Sequence, residues 1–370
     1  MTEKRGNDAS LLSSSRMRGT HSQKSAGKIP PFVILADAGI SFTKKRVDLL
    51  TKGNRMSQPV IYPKSKENIV IRYSGNPILT KDDVPAAAKG VYNSGCVKTL
   101  EGKYVMLCRV ETPSMKQFIW PADSTDGINF KLREKPIAMP DTAEFKEYTT
   151  GMYYDPRVTE LEGKYYVVFA CHSGHSCRLG LLESSDMKEF KWRGFISETD
   201  NRNGVLFPEK INGMYCRLDR PNTGDGKGYM WISYSPDLIH WGGSKALAIS
   251  QDEWGWKKNG PGAVPIKTEK GWLVIYHAVN VQCAAQYVYH IGVMLLDAKD
   301  PSKIVARAKA PILSPTMDYE LKGLTYAVVF TAGAVLEDDG EVKIYYGGAD
   351  TVQCLATAQL EDLVDACFNR

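Results

Sequence analysis

The stretch EGKYYVVFACHS, residues 162–173, is a turn followed by a strand. Gly163 supplies the backbone freedom a tight turn needs, and the aromatic and β-branched run behind it suits a pleated, largely buried ladder. The same unit returns as EGKYVMLCRVE (101–111), INGMYCRLDR (211–220), KGWLVIYHAVN (270–280) and DGEVKIYYGGAD (339–350). The turn glycines Gly102, Gly163, Gly213, Gly271 and Gly340 are 61, 50, 58 and 69 residues apart, too far for single hairpins and close to one four-stranded propeller blade plus insertions.

The flanks of each copy complete the unit. Shorter strands precede them in VYNSGCVKTL, YYDPRVTEL, LFPEKI, GAVPIK and AVVFTAGAVL. Third strands follow, as in GLLESSD, YMWISYS and HIGVMLLD, and then turn-rich tails such as SSDMKEFKW and SPDLIHW, whose aromatic residues are placed to pack between neighbouring sheets. The expectation is an all-β chain, a five-bladed β-propeller over residues 61–370, because radial repetition leaves only short, protected edges. Residues 1–60 read as an appended arm, partly disordered or helical, with a short helix near GISFTKKRVDLLTKG; a second helix is expected at LEDLVDACF near the C-terminus.

Composition excludes several function classes. The 370 residues are 43% hydrophobic, enough for a large core, and 47 Lys and Arg against 42 Asp and Glu leave a formal charge of +5. The basic excess is gathered in the first sixty residues, not along a helix face, so nucleic acid is not implied. No window approaches the ~20 apolar residues of a membrane span, and the polar, Ser-rich N-terminal stretch holds no apolar signal core, so a cytoplasmic protein is expected. Most of the eight cysteines sit singly in strand-like runs and read as reduced, packed thiols. The CHSGHSC cluster, with Cys171, His172, His175 and Cys177, lacks the paired spacing of structural zinc sites; a loop with one His facing a ligand is the expectation, and no metal.

Polar residues stand where the strand pattern calls for apolar ones: Asn93 and Asp155 in first strands, and Arg109, His172, Arg220, His277 and Asp350 at the ends of second strands. Taken singly, Asp before Pro is a turn former and an Arg at a strand end is a surface charge. Recurrence at equivalent positions favours a ligand site, because buried charges brought together without a ligand are costly.

These residues also carry a resemblance. RYSGNPILTKDDVP (72–85), NSGCVK with LCRVE, YYDPRVTE, LFPEKINGMY with LDRP, KKNGPGAVPIKTEKGWLVIYH and YYGGAD are similar, in order, to the motifs of glycoside hydrolase family 130, the β-mannoside phosphorylases and related β-mannosidases. The resemblance implies a five-bladed propeller and an inverting attack by inorganic phosphate on a β-mannoside, releasing α-mannose 1-phosphate. Asp155 would be the single catalytic acid, passing its proton through a mannose hydroxyl. Arg202, Arg220, Lys258, His277 and Tyr289 would bind phosphate, and Asn93, Ser94, Arg109 and Asp350 would hold the mannose.

An ordinary inverting glycosidase needs two carboxyl groups, whereas phosphate arrives as a nucleophile and needs one acid and a cationic cradle. No cofactor is implied, and phosphate is a co-substrate. Lys257 in place of Lys258, and Tyr287 in place of Tyr289, are open alternatives. Arg157 is expected to be structural, pairing near Asp155 on the same face. A hydrolase would want a second carboxylate, for which Glu111, Glu160 and Glu209 are the candidates, and a non-catalytic sugar-binding propeller is the third reading. The arm suits a homo-oligomer in which it reaches a neighbouring subunit, and the acceptor sugar is left open.

Overall fold

The computed structural model describes residues 69–248, 254–282 and 285–369. The expected N-terminal arm and its helix lie outside the described residues.

The described chain is almost wholly β. Strand β1 (Ile71–Arg72) is followed by a first group, β2 (Gly90–Lys98), β3 (Tyr104–Glu111), β4 (Gln117–Ser124) and β5 (Lys131–Leu132). A second group holds β6 (Met152–Leu161), β7 (Lys164–His172), β8 (Cys177–Ser184) and β9 (Lys191–Phe195), and a third β10 (Asn201–Leu206), β11 (Tyr215–Pro221), β12 (Met230–Ser235) and β13 (Gly242–Ala248). The fourth comprises β14 (Lys258–Pro261), β15 (Ile266–Thr268), β16 (Gly271–Val281), β17 (Tyr287–Leu296) and β18 (Ile304–Arg307). The fifth is β19 (Val329–Leu336), β20 (Glu341–Gly348) and β21 (Val352–Gln359). Within each group successive strands pair antiparallel, except that β14 and β15 both pair with β16, and one parallel pair, Gln117 with Met152, joins β4 to β6. β1 completes the fifth group by pairing with β21, Ile71 opposite Thr357.

Short helices α1 (Ala143–Glu147) and α2 (Asp318–Leu321) interrupt the strands, and α3 (Leu360–Asn369) ends the described chain where a helix was expected. Two first strands differ from the expectation. β10 ends at Leu206, just before Pro208, and the fourth group opens with β14, ahead of the GAVPIK segment. Proline has no N–H to donate and closes a ladder; Arg202 lies in β10 and Lys258 opens β14.

Both faces of every group are apolar, which is why the strands read as continuous hydrophobic runs. Val105, Leu107, Val158 and Phe169 fill the space between the first and second groups, and Val168, Leu181, Leu206 and Leu238 that between the second and third. Leu218, Ile232, Trp272 and Val274 join the third to the fourth, and Ile275, Val293, Ile344 and Cys354 the fourth to the fifth. Val91, Met106, Val335 and Tyr345 pack the fifth against the first. The Ser-x-Asp tails are tight turns: Asp186 accepts from the N–H groups of Lys188 and Glu189, and Asp237 from those of Ile239 and His240. Such side-chain acceptance replaces ladder bonds at a strand end, and Trp192 and Trp241 then pack into the adjoining apolar layers.

Candidate active site

Three first strands carry the same irregularity. The pairing register of β2 shifts between Tyr92 and Gly95, that of β6 between Tyr154 and Arg157, and that of β10 between Arg202 and Val205. The residues inside these bulges, Asn93, Asp155 and Asn203, have φ of 51°, 52° and 61°. Asn and Asp tolerate this left-handed backbone, and a bulge re-aims the side chain it carries. All three line one cavity of about 310 Å³, together with Arg109, Arg202, Arg220, Tyr289 and Asp350.

At one end of the cavity two carboxylates share an amide. Asp155 Oδ1 accepts from Arg109 Nη1 at 2.8 Å and from Asn93 Nδ2 at 3.2 Å, and Asn93 Nδ2 also donates to Asp350 Oδ1 at 3.3 Å. Asp350 Oδ2 accepts from the Thr325 hydroxyl at 2.8 Å. The Arg109 guanidinium lies 4.6 Å from the Tyr92 ring centre and 4.9 Å from that of Tyr154. Burial works against its charge, but the neighbouring Asp155 carboxylate raises its pKa overall. Burial pushes the Asp350 carboxyl upward, and Arg109 offsets this only in part.

The other end is cationic. Arg202 and Arg220 face each other across the β10–β11 ladder. Arg202 Nη2 donates to Asp200 Oδ1 at 3.0 Å, and Asp200 is held in turn by Asn222 Nδ2 at 2.9 Å. Arg220 Nη1 donates to His277 Nε2 at 2.8 Å. A guanidinium only donates, so that ring nitrogen is the acceptor of a neutral imidazole. Burial, followed by the charges of Arg220, Arg157 and Lys258, holds the His277 pKa well below its usual value. Lys258 is lowered to about 8 by burial and by Arg220 and Arg202.

The expected residues distribute as follows. Asp155, Asn93, Arg109, Asp350, Arg202, Arg220 and Tyr289 line the cavity, while His277 lies beneath Arg220. Lys258 directs its ammonium over the ring of Tyr287, which is exposed, at 5.1 Å. Lys257 turns away, donating to the Asp225 carbonyl at 3.2 Å. Ser94 is not in the cavity wall: it is fully buried, its N–H donating to Gln353 Oε1 at 3.1 Å.

Arg157 pairs with Asp155 through the backbone carbonyl, at 2.7 Å, and not through the carboxylate, because the bulge breaks the alternation that would put the two side chains on one face. Of the candidate second carboxylates, Glu111 is committed to Tyr92 Oη at 2.8 Å, Glu209 to Lys267 at 2.6 Å, and Glu160 to the turn N–H of Gly163 at 3.0 Å. His172 reaches the cavity, Cys177 Sγ lies 3.3 Å from Tyr154 Oη, and among the described residues no group of three or more metal-ligating side chains occurs.

Asn203, Tyr154, Gln117 and Phe330 also line the cavity and were not anticipated. The signal for Asn203 was present: NSG, DPR and NGV (93–95, 155–157, 203–205) each open with Asn or Asp inside a first strand. Buried polar atoms without a protein partner gather here, among them Asn93 Oδ1, Arg109 Nε, Gln117 Oε1, Arg202 Nε, Asn203 Oδ1 and Arg220 Nε. Leaving such atoms unpaired is costly, and their concentration around one cavity marks a site built for a polar ligand.

Residues 60–369 match the description of glycoside hydrolase family 130, beta-1,4-mannooligosaccharide phosphorylase. The chain belongs to this family. It is 33% identical over 310 residues to the β-1,4-mannooligosaccharide phosphorylase of Ruminococcus albus, a match covering 82% of this chain and 92% of that protein. It is 31% identical to the 4-O-β-D-mannosyl-D-glucose phosphorylase of Bacteroides fragilis over 75% of each. Among solved structures, the β-1,2-mannobiose phosphorylase of Listeria innocua in complex with β-1,2-mannobiose superposes with a TM-score of 0.72 at 30% identity, over 80% of this chain and 99% of that one. Family 130 membership thus spans the described β-sheets and every residue of the cavity.

Proposed function

We propose that this chain is an inverting β-mannoside phosphorylase, which transfers the mannosyl group of a β-mannosyl disaccharide or short oligosaccharide to inorganic phosphate. The products are α-mannose 1-phosphate and the shortened acceptor sugar. The observation that carries this reading is the pairing, within one cavity, of a single bulge-held acid with the buried Arg220 and the half-buried Arg202, with Lys258 close by. A hydrolase has to activate water with a second base. Here the cations serve instead to gather a phosphate anion and hold it in line.

Asp155 is the acid. Its proton goes to a mannose hydroxyl, which relays its own to the departing glycosidic oxygen as phosphate attacks the anomeric carbon from the opposite face. Asn93, Arg109 and Asp350 hold the mannose, with Ser94 supporting the bulge from below. Arg202, Arg220, Lys258 and Tyr289 receive phosphate, and neutral His277 steadies Arg220 from beneath. Charge-assisted, planar Arg contacts suit a phosphate whose charge is redistributed in the transition state. No cofactor or metal is required by this chemistry.

We also infer that the five groups of strands are the blades of a five-bladed propeller. Five apolar layers lie between successive groups, the last packing on the first, and β1 completes the fifth group. A charged product is best retained inside the cell, which favours a cytoplasmic location. The segment before residue 61 is the arm of the proposed domain organisation, and a solution mass with and without residues 1–60 tests whether it supports a homo-oligomer.

The deciding assay incubates the protein with β-1,4-mannosyl-glucose, β-1,4-mannobiose or β-1,2-mannobiose, with and without phosphate. Mannose 1-phosphate forms only with phosphate; equal release of free mannose in its absence overturns the reading.

A further inference from the structure

Arg157 is 1% exposed, and among the described residues it is one of the largest fully buried side chains and no carboxylate accepts a hydrogen bond from it. Its donors go to backbone carbonyls. Nη1 donates to Asp155 O at 2.7 Å, Nε to Gly262 O at 2.9 Å and Nη2 to Pro261 O at 3.2 Å. The guanidinium carbon lies 5.6 Å from the ring centre of Phe330, which lines the cavity. A buried guanidinium with no carboxylate hydrogen-bonded to it is an expensive way to fill space. An apolar side chain would do that at lower cost, so the position asks for what only the planar fork supplies, several donors in fixed directions.

The carbonyls it joins belong to the two halves of the site. Asp155 O is the acid's own peptide, inside the bulge of β6. Pro261 ends β14, the strand that starts with Lys258 and lies against His277 at Gly260. Between the second and fourth groups, the hydrogen bonds of Arg157 therefore connect the acid directly to the strand that carries Lys258 and pairs with the strand of His277. Burial lowers its pKa to about 10, which leaves it charged at neutral pH.

We propose that Arg157 is a positioning residue that sets the separation and orientation of Asp155 relative to the phosphate cluster, touching neither the sugar nor phosphate. The proposal rests on the phosphorylase reading above. It predicts a kinetic signature different from that of a purely structural residue, because the two reacting partners are aligned by it while the mannose contacts of Asn93 and Asp350 are not. Misalignment of reacting groups by about 1 Å costs on the order of 100-fold in rate.

The test compares wild type with Arg157→Lys and Arg157→Gln, measuring kcat, KM for phosphate and KM for the mannoside separately, with thermal unfolding alongside. Arg157→Lys keeps the charge but loses the fork. The expected result is a fall in kcat of about 10- to 100-fold and a severalfold rise in KM for phosphate, with KM for the mannoside within twofold. Arg157→Gln, which keeps some hydrogen bonding without charge, moves the same two parameters. A folded Arg157→Lys protein with a lowered melting temperature but unchanged kcat and KM for phosphate overturns the proposal. If Arg157→Gln does not fold, Arg157→Lys alone decides. Wild-type protein that releases no mannose 1-phosphate from any β-mannoside instead removes the reading on which the proposal stands.

Discussion

Arg220 donates to His277 at 2.8 Å, a bond between a permanent cation and a wholly buried ring that must stay neutral to receive it. The unfolded chain has no such requirement, and its histidine takes up a proton near pH 6.5. In the window below that value the unfolded state binds more protons than the folded one, so stability is full above about pH 6.5 and is lost as pH falls. His290, lowered to about 4 by burial, acts in the same direction. Melting temperature measured from pH 7.5 to 5.5 should decline, and His277→Gln should flatten the decline; a slope unchanged in the variant assigns the effect elsewhere.

Asp155 is held from two sides, by Arg109 and Asn93, so its neutral isostere has partners waiting. Asp155→Asn should fold with a melting temperature within a few degrees of wild type while kcat falls by about 100- to 10,000-fold, the range for loss of a positioned acid. Substantial residual turnover would remove it from the role of acid.

Lys258, with a pKa of about 8, changes charge just above neutrality. It is protonated below that value and neutral above it, so KM for phosphate should rise as pH increases through 8. Lys258→Arg should abolish this dependence, and Lys258→Ala should raise KM for phosphate at pH 7 with a smaller effect on kcat. An alanine variant with the wild-type phosphate dependence would move the role to another cation.

Gly347, in the YYGGAD segment, leaves room for the sugar-binding end. A Cβ there would lie 2.1 Å from Asn93 Oδ1 and 2.9 Å from the Asn93 backbone nitrogen. Gly347→Ala should cost about 1–3 kcal/mol by overpacking and raise KM for the mannoside through displacement of Asn93. A variant with wild-type mannoside KM would show that Asn93 moves without consequence.

The turn glycines and two-faced apolar strands made the sheets legible before any coordinates, because both follow from local backbone chemistry and burial. Asp155, Arg109 and Asp350 were legible for a related reason: charges within apolar strands call for an explanation. Three bulges were not, since alternation assumes an unbroken ladder. That assumption put Arg157 on the face of Asp155 and passed over Asn203, the third member of the set, while Ser94 came among the ligands through the family resemblance alone. The choices of Lys258 over Lys257 and Tyr289 over Tyr287 depend on where strands begin and which way their side chains point. Strand boundaries are what proline and loop geometry decide, and periodicity does not report them.

The pairing of Ile71 and Arg72 with β21, reinforced by Arg72 Nε on Glu320 Oε1 at 2.7 Å, has a consequence in time. During synthesis the first described strand emerges with its partner nearly three hundred residues away, still unmade. The cavity is in the same position, since Asp155 and Asn93 wait for Asp350, which comes from the last group of strands. A nascent chain can stack its early sheets, but it cannot assemble both carboxylates around Asn93 until translation is almost complete, so a prematurely terminated product would carry the acid without a finished sugar pocket.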